Sequence, residues 1–573
     1  MPSTVQDYRN VSRAIAILLL LVSLTFFSGL GRQAIADSDE AFYAESAREM
    51  LEREDWLTPY FNYQVRFQKP ILFYWMVSST YLVAGISAAA ARFPSALAGL
   101  GLTLITYLCA RRRYGNHTGG LAGAIIATSF GYAAMAHQSL PDLPLAFFIT
   151  LAIWAGLEGL APATPDTSSN HRRWLLLASS AAACAFLTKG PVGLVVPLLS
   201  ISLIFLLYLL GKPNRAWAEL RQRVTFTNSI LCVGIFFLIV TPWFFAMWQE
   251  HGWSYLSRFF ITENLERFAT TRYNEPRGLW FYPAIILTGL LPWSPFMFLW
   301  IRPLLRFFRG QRRFTEIELQ FVIWSTSILL FFTASIGKQP RYILPILPPL
   351  AILLARTIDE RLKRLASTKT YDWLFTASGV LAAGMTIALG IILTRAKPLI
   401  EIINPLGSDL APVLIIGSGL GLIFSSFICK GRLIPYATIL TSTVTLLSFH
   451  YFVLSSTQPE PVQQLVQSVN ENRHDQETVG SHSVMVRNLS FHMRGPIKDL
   501  SSEQDLTNFM RSSDRVLCVI NEKQLELLRT SLETPPKKLA EFLYLNQAAL
   551  KIGMLLWPKP DDDITTVVLV TNR

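Results

Sequence analysis

Charged residues are scarce in this chain, and the shortage excludes an ordinary soluble enzyme. Asp, Glu, Lys and Arg make up 16% of the 573 residues, whereas soluble domains carry about 25%. Hydrophobic residues account for 51% of the chain, and the 37 Phe and 14 Trp suit a lipid environment. We therefore expect most of the chain to lie within a membrane.

Cysteine is also rare, with 5 residues in the chain. Cys518 stands alone in the polar C-terminal region, so an intramolecular disulfide there is excluded, and no CxxC or Cys/His metal spacing occurs. GxGxxG and P-loop spacings are missing as well, which argues against a nucleotide-sugar enzyme with a nucleotide-binding fold.

The net charge of +12 invites a nucleic-acid interpretation. The basic residues, however, cluster in short loops between apolar runs, for example at 111–113, 302–313 and 356–364. This pattern is typical of integral membrane proteins, in which cytoplasmic loops are basic. We therefore expect membrane lipids, and no nucleic acid, as partners.

Apolar runs near the roughly 20 residues needed to cross a bilayer recur about thirteen times. The first follows Arg13 and precedes Ala34-Ile35-Ala36, as a signal peptide would, but its core is longer than usual and predicts a retained helix. A further run at 69–84 predicts an interfacial helix. The predicted spans are 14–30, 89–110, 118–136, 140–160, 174–188, 191–211, 225–245, 279–300, 317–336, 341–356, 373–394, 410–428 and 434–455.

The alternation of basic loops predicts a cytoplasmic N-terminus and an external C-terminus.

The fold class predicted is a polytopic α-helical membrane protein with a small C-terminal extracytoplasmic α/β domain. The boundaries are 1–456 for the transmembrane domain, with a first external loop at 31–70, and 457–573 for the C-terminal domain. That domain has strand-like runs at 515–520 and 565–570 and a helical pattern at 521–531.

Apart from the basic clusters of the cytoplasmic loops, the ionisable residues that call for an explanation beside spans lie in the predicted external loops. Such residues are costly to hold away from water, so they are candidates for chemistry. A carboxylate there can accept the proton of an attacking hydroxyl, and cations can neutralise a leaving phosphate. The candidates are the carboxylates Asp39, Glu40 and Asp142, and the cations Lys69, Lys189, Lys338 and Arg341.

Simpler roles compete with this interpretation. A lysine beside a span is often a headgroup anchor, and Asp39 is also placed to cap the helix predicted after it. A transporter or lipid flippase is the alternative function, but it would carry ionisable residues near span centres and often repeated halves. A non-enzymatic assembly subunit is a third alternative, and it would tolerate loss of Asp39 and Lys189.

An ordered series of segments resembles the GT-C glycosyltransferases that use polyprenyl-phosphate sugars, in particular the protein mannosyltransferase and lipid A aminoarabinose transferase group. The segments are Asp39-Glu40 with Tyr43-Ala44, Lys69-Pro70 with Tyr74-Trp75, Pro141-Asp142, Lys189-Gly190, Pro242-Trp243, 259–268 and 338–345.

This resemblance implies a GT-C fold and a one-step, inverting sugar transfer. Asp39 would be the leading catalytic carboxylate with Asp142 beside it. Lys69, Lys189 and Tyr342 would contact the donor phosphate, and Tyr43 would join the substrate-binding residues. The donor would be a polyprenyl-phosphate sugar, and the acceptor a lipid A-like lipid, a glycan or a protein at the outer face of the bacterial inner membrane.

Three positions depart from the aminoarabinose transferases, which tend to have Arg at Phe42, Glu at Gln68 and His at Asn264. Amides in place of two ligand-type side chains argue against a metal between these loops. A divalent cation is compatible with the resemblance but is not supported by ligand spacing, so no metal site or cofactor is predicted. The C-terminal region carries no match, and we expect it to modulate acceptor engagement rather than carry the reaction.

Overall fold

The computed structural model of this chain describes residues 4–160, 171–211, 221–271, 276–367, 371–456, 458–474 and 477–573. Thr457, at which the predicted C-terminal domain begins, lies outside the described residues. Most of the described chain is helical, and a five-stranded sheet forms near its C-terminal end. The apolar helical bundle and the small C-terminal α/β region of the predicted fold class are therefore confirmed.

Within the described ranges, 10 helices are long and apolar enough to cross a membrane, or up to 12 if each of two bent pairs counts as one span. The ten are Tyr8–Phe27, Ala88–Tyr114, Asp142–Leu160, Val192–Gly211, Phe226–Ala269, Glu316–Ala334, Pro340–Ser367, Trp373–Arg395, Pro405–Phe427 and Ile434–Leu454.

The bent pairs stand where two continuous spans are predicted. Asn116–Ala127 and Phe130–Ala136 meet at 57°, and Phe281–Gly289 meets the segment Ser294–Phe308 at 112°. Pro292 accounts for the second break, because proline has no amide hydrogen and disfavours helical geometry in the residue before it. The span predicted over 279–300 is therefore broken at Pro292 instead of being one straight helix.

The remaining predicted span, 174–188, forms the 19-residue helix His171–Lys189. This helix is less apolar than the others, because Arg172 and Arg173 lie at one end, Lys189 lies at the other, and alanine and serine fill its centre. It packs along Asp142–Leu160.

Two shorter helices follow the first span, and several long segments combine helix types. The short helices are Asp39–Glu52 and Leu72–Ala84. Three long α-helices continue into π-helical turns: Thr4–Val22 into Ser23–Phe27, Phe226–Ser257 into Arg258–Glu266 and then the α-helical turn Arg267–Ala269, and Ile434–Ser448 into Phe449–Leu454. Two others begin with a 3₁₀ segment: Ser294–Trp300 precedes Ile301–Phe308, and Pro340–Ile346 precedes Leu347–Ser367. The helix Lys397–Ile403 and the 3₁₀ turn Ile428–Gly431 complete this part of the chain.

The C-terminal region is a mixed sheet covered by helices. Its strands are β3 (Val479–Ser481), β4 (Lys498–Asp499), β5 (Leu517–Asn521), β6 (Lys537–Tyr544) and β7 (Thr565–Thr571), in the order β4-β3-β5-β7-β6. β3 pairs in parallel with β4 and β5, whereas β7 is antiparallel to β5 and β6.

The helices of the C-terminal region are Pro461–Asn472, Asn488–Met493, Glu503–Met510, Glu522–Ser531, Gln547–Ala549, Ile552–Leu556 and Pro560–Asp563. The predicted strands near 515–520 and 565–570 and the helix between them are confirmed.

The first loop after span Tyr8–Phe27 packs directly on the C-terminal sheet region. The loop carries a small hairpin of β1 (Tyr60–Phe61) and β2 (Gln64–Val65). At its tip, the Asn62 side chain donates to the Ile497 carbonyl at 2.6 Å and accepts from the Ile497 amide at 2.9 Å. The two regions are therefore joined at the side of the molecule where the candidate residues lie.

Candidate active site

Asp39 is the first residue of the helix Asp39–Glu52, which begins just beyond the first span. Ser38 caps this helix by accepting a hydrogen bond from the Glu40 amide, so the alternative in which Asp39 is the cap is wrong. The free amide groups of the first turn favour a negative charge there. Asp39 is thus held as a carboxylate at a helix N-terminus without being used as the cap.

Asp39, Asp142 and two cations form a chain of ion pairs. Arg341 donates to Asp39 through Nη2, and its Nε lies 3.4 Å from Asp142 Oδ2. Lys189 donates through Nζ to the other oxygen, Asp142 Oδ1. The ends of three separate elements meet here, because Asp142 begins one span, Lys189 ends a helix, and Arg341 lies in the 3₁₀ segment Pro340–Ile346.

The charge state of Asp39 follows from its neighbours. Partial burial raises the pKa of Asp39, but the charges of Arg341, Arg487 and Arg66 and the hydrogen bond from Arg341 together outweigh burial. The pKa of Asp39 is therefore lowered from its usual range. Asp39 is ionised at neutral pH and is able to accept a proton.

Glu40 occupies a different environment from Asp39. Arg92, itself buried in span Ala88–Tyr114, donates to Glu40 Oε1 at 2.8 Å and to Oε2 at 3.0 Å. The amides of Ala36 and Ser139 donate to the same carboxylate at 3.1 and 2.9 Å. These contacts fix the entry of the first loop, and Glu40 also lines the polar cavity on the Asp39 side of the ion-pair chain. Its catalytic role stays a prediction.

An apolar groove of about 530 Å³ opens on the Lys189 side of the ion-pair chain. Its cationic end carries Lys69, Lys189 and Arg267, and one carboxylate, Glu263, lies 3.6 Å from Arg267 there. The Lys189 ammonium lies 4.4 Å from the centre of the Tyr342 ring. Its apolar wall is Val192, Val195, Phe260, Ile261, Leu265, Phe268, Phe331 and Phe332. Leu265 is 63% exposed and Ile261 49% exposed, so the groove is open on the side where lipid would lie.

Lys69 is buried and has no carboxylate within ion-pairing distance in the described part of the chain. Burial lowers the pKa of Lys69, and the nearby charges of Arg267 and Lys189 lower it further. An anion at this end of the groove would favour the charged form of Lys69. The groove thus combines a binding end for an anion with an apolar channel.

Gly190 allows the turn that aims Lys189 into the groove. Its φ is +90°, a conformation that L side chains rarely adopt, and a Cβ there would lie 2.8 Å from the Phe259 ring. The chain turns here from the helix that ends at Lys189 into the span Val192–Gly211.

A second, more polar cavity of about 280 Å³ lies on the Asp39 side of the same ion-pair chain. Asp39 and Arg341 line it, and Gln547 reaches it from the C-terminal region. Its other polar side chains are Thr25, Gln33, Ser38, Glu40, His137, Gln138 and His450. The ion-pair chain therefore separates an apolar groove from a cavity suited to hydroxyl-bearing groups.

The other predicted residues lie outside these two cavities. Lys338 is buried but does not line the groove. Tyr43 is buried against Phe73 and Tyr74, with both ring centroids at 5.4 Å, and it supports the helix below Asp39.

Sequence reasoning did not single out four arginines of the site. Arg66 lies over the Phe42 ring at 4.0 Å, Arg92 holds Glu40, Arg267 lies within the matched segment 259–268, and Arg487 comes from the C-terminal region. Arg66 stands three residues before the quoted Lys69-Pro70, and Arg267 lies in the quoted segment 259–268, so the resemblance pointed to both neighbourhoods. Nothing in the sequence pointed to Arg487.

In the described residues, no group of three or more His, Cys, Asp or Glu side chains stands close enough to hold a metal ion. The Asn264 side chain, which stands where the aminoarabinose transferases tend to have His, donates a hydrogen bond to the Phe259 carbonyl at 2.7 Å.

Residues 15–253 match the family described as dolichyl-phosphate-mannose-protein mannosyltransferase. An uncharacterized protein of Aquifex aeolicus is 31% identical over 375 residues, which cover 65% of this chain and 69% of that protein. An undecaprenyl phosphate-alpha-4-amino-4-deoxy-L-arabinose arabinosyl transferase of Pseudomonas aeruginosa is 30% identical over 355 residues, covering 61% of this chain.

The alignment with the Pseudomonas protein covers 60% of that protein's own length. Among solved structures, ArnT from Cupriavidus metallidurans, bound to undecaprenyl phosphate, has a TM-score of 0.73 at 20% identity and covers 98% of both chains. At that level of identity the solved structure establishes the shared fold.

Proposed function

Because this chain belongs to the GT-C glycosyltransferases of the protein mannosyltransferase and aminoarabinose transferase group, we propose that it transfers a sugar from a polyprenyl phosphate to an acceptor at the outer face of a bacterial inner membrane. The observation that carries this proposal is the ion-pair chain from Asp39 to Lys189, which lies between an apolar groove with a cationic end and a polar cavity.

The groove supports the donor assignment. Lys69, Lys189 and Arg267 would bind the phosphate, and the arginine fork is suited to two phosphate oxygens at once. The polyprenyl chain would lie along the apolar wall and leave through the exposed side at Leu265 into the bilayer. Tyr342, whose ring lies beside Lys189, would contact the donor phosphate.

The chemistry proposed is a single displacement. The acceptor oxygen forms a bond to the anomeric carbon while the bond from that carbon to the phosphate oxygen breaks. The acceptor proton passes to Asp39, and the groove cations neutralise the charge on the departing phosphate. Asp142 keeps Arg341 and Lys189 in place between the two reacting groups. One displacement inverts the anomeric configuration.

The orientation proposed is a cytoplasmic N-terminus with both cavities and the C-terminal region on the outer side. The acceptor classes are a lipid A-like lipid, a glycan and a protein. Mass spectrometry of glycolipids from cells with and without the chain distinguishes the lipid acceptors from the others.

The direct test uses the purified protein in lipid, a panel of polyprenyl-phosphate sugars and membrane acceptors. We expect release of polyprenyl phosphate only when donor and acceptor are both present. Direct use of a nucleotide sugar would overturn the donor assignment. Movement of the intact sugar lipid across the bilayer without cleavage would favour a flippase.

A further inference from the structure

Arg487 brings the C-terminal region to the candidate base. Its Nη1 lies 3.7 Å from Asp39 Oδ1, the oxygen that Arg341 does not hold, since Arg341 donates to Oδ2. The Arg487 guanidinium also lies 5.1 Å from the centre of the Phe42 ring, within the range of a cation–π contact.

The backbone around Arg487 is fixed to the first loop. Its amide donates to Asp37 Oδ1 at 2.9 Å, and the next side chain, Asn488, donates to the Ile35 carbonyl at 3.1 Å. The helix Asn488–Met493 then packs against Asp39–Glu52. Arg487 is thus anchored at its backbone and at the following residue, although its side chain is 47% exposed.

Charged groups from several elements act on Asp39. Arg341 from the 3₁₀ segment, Arg66 from the end of the hairpin loop and Arg487 from the C-terminal region favour its ionised form. The Asp142 carboxylate opposes them, and the carboxylates of Asp37 and Glu40 lie in the same loop region. Tyr43 below is a neutral neighbour. An ionised carboxylate has about four lone-pair positions. With one oxygen held by Arg341 and the other beside Arg487, lone pairs remain free to face the polar cavity.

We propose that Arg487 is a positioning residue for Asp39, so that the C-terminal region completes the catalytic site. This inference rests on the proposed function, and it differs from the expectation that the region modulates acceptor engagement rather than the reaction, which stays a prediction. Arg341 alone would leave the carboxylate free to rotate about its Cβ–Cγ bond. Arg487 attracts the second oxygen from 3.7 Å and so favours one direction of the remaining lone pairs.

The test compares Arg487→Gln, Arg487→Lys and the control Arg511→Gln, an exposed arginine of the same region. Initial rates of polyprenyl phosphate release are measured from pH 2.5 to pH 8, because the acid limb that Asp39 sets lies below about pH 4, and donor binding is followed by thermal shift. In Arg487→Gln we expect turnover at pH 7 to fall about 3- to 30-fold through misorientation of the base, with donor binding unchanged.

The pH profile separates positioning from a merely structural role. Arg487 holds the pKa of Asp39 down, so its removal raises that pKa and moves the acid limb of the rate to higher pH. Because the Arg487–Asp39 ion pair is partly exposed, we expect the acid limb to move by about 0.2–0.7 pH unit. Arg487→Lys should restore most of both effects, and Arg511→Gln should match the unmodified protein.

The outcomes also separate this inference from the function on which it rests. If the unmodified protein and Arg511→Gln release no polyprenyl phosphate, the proposed function fails and this inference fails with it. If both are active and Arg487→Gln keeps the same turnover and the same acid limb, the inference alone is overturned. A folded Arg487→Lys variant as impaired as Arg487→Gln would also contradict it.

Discussion

Replacement of Asp39 by Asn removes the proposed base while leaving its contacts nearly intact. The amide oxygen of Asn keeps one acceptor for Arg341, and the helix cap at Ser38 is untouched. The loss of a general base lowers rates by about 10²- to 10⁴-fold, so we expect turnover of Asp39→Asn to fall within that range. Donor affinity should stay within about threefold, because the groove cations do not contact residue 39.

The assay is polyprenyl phosphate release by protein in lipid, with donor binding measured on the same preparation. Asp409→Asn is the matched control, since Asp409 also pairs with a cation, Lys397 at 2.7 Å, but is 66% exposed. Because the pKa of Asp39 is lowered from its usual value near 4, this carboxylate stays ionised above that pH. The rate of the unmodified protein should therefore show no loss attributable to Asp39 between pH 8 and about pH 5.

Near-normal turnover in a correctly inserted Asp39→Asn variant would refute the assignment and move the base to Asp142 or Glu40. A parallel loss in Asp409→Asn would instead show that the assay reports any disturbed ion pair rather than the base.

Three further predictions concern the groove, the loop anchor and the topology. Lys189→Ala should weaken donor binding about tenfold or more and lower turnover with it; unchanged donor affinity would remove Lys189 from the phosphate site. Glu40→Gln should destabilise the fold by about 3–5 kcal/mol, because it leaves the buried Arg92 guanidinium without its charged partner, and an unchanged melting temperature would contradict this role. Reporter fusions should be cytoplasmic at Arg172, Arg309 and Lys363 and external at His251 and Asn472. A cytoplasmic reporter at Asn472 would reverse the orientation.

The order of apolar runs predicted most of the helical bundle, since length and hydropathy define a span whatever its neighbours are. Local breaks were harder to predict. The run containing Pro292 reads as one apolar segment, yet the chain bends by 112° there. The helix ending at Lys189 forms as expected, but its arginine-rich start makes it less apolar than the other spans.

Asp39, Asp142 and Lys189 could be proposed from the sequence, because each is an ionisable residue placed beside a predicted span. These three lie at element ends in distant parts of the sequence, and the predicted loop parity brings them to one side of the membrane. Arg487 could not be found in this way, because its contact with Asp39 depends on how the C-terminal sheet docks on the first loop. Glu40 was adjacent in sequence to Asp39 but points to Arg92, a direction that helix packing alone decides.

The central claim is that a sugar leaves a polyprenyl phosphate and is joined to the acceptor in one displacement. A single-turnover reaction with a polyprenyl-phosphate sugar of defined anomeric configuration, followed by NMR of the product, tests it most directly. We expect one polyprenyl phosphate to be released for each sugar transferred, and the anomeric centre to be inverted. Retained configuration, or sugar transfer without release of polyprenyl phosphate, would contradict it.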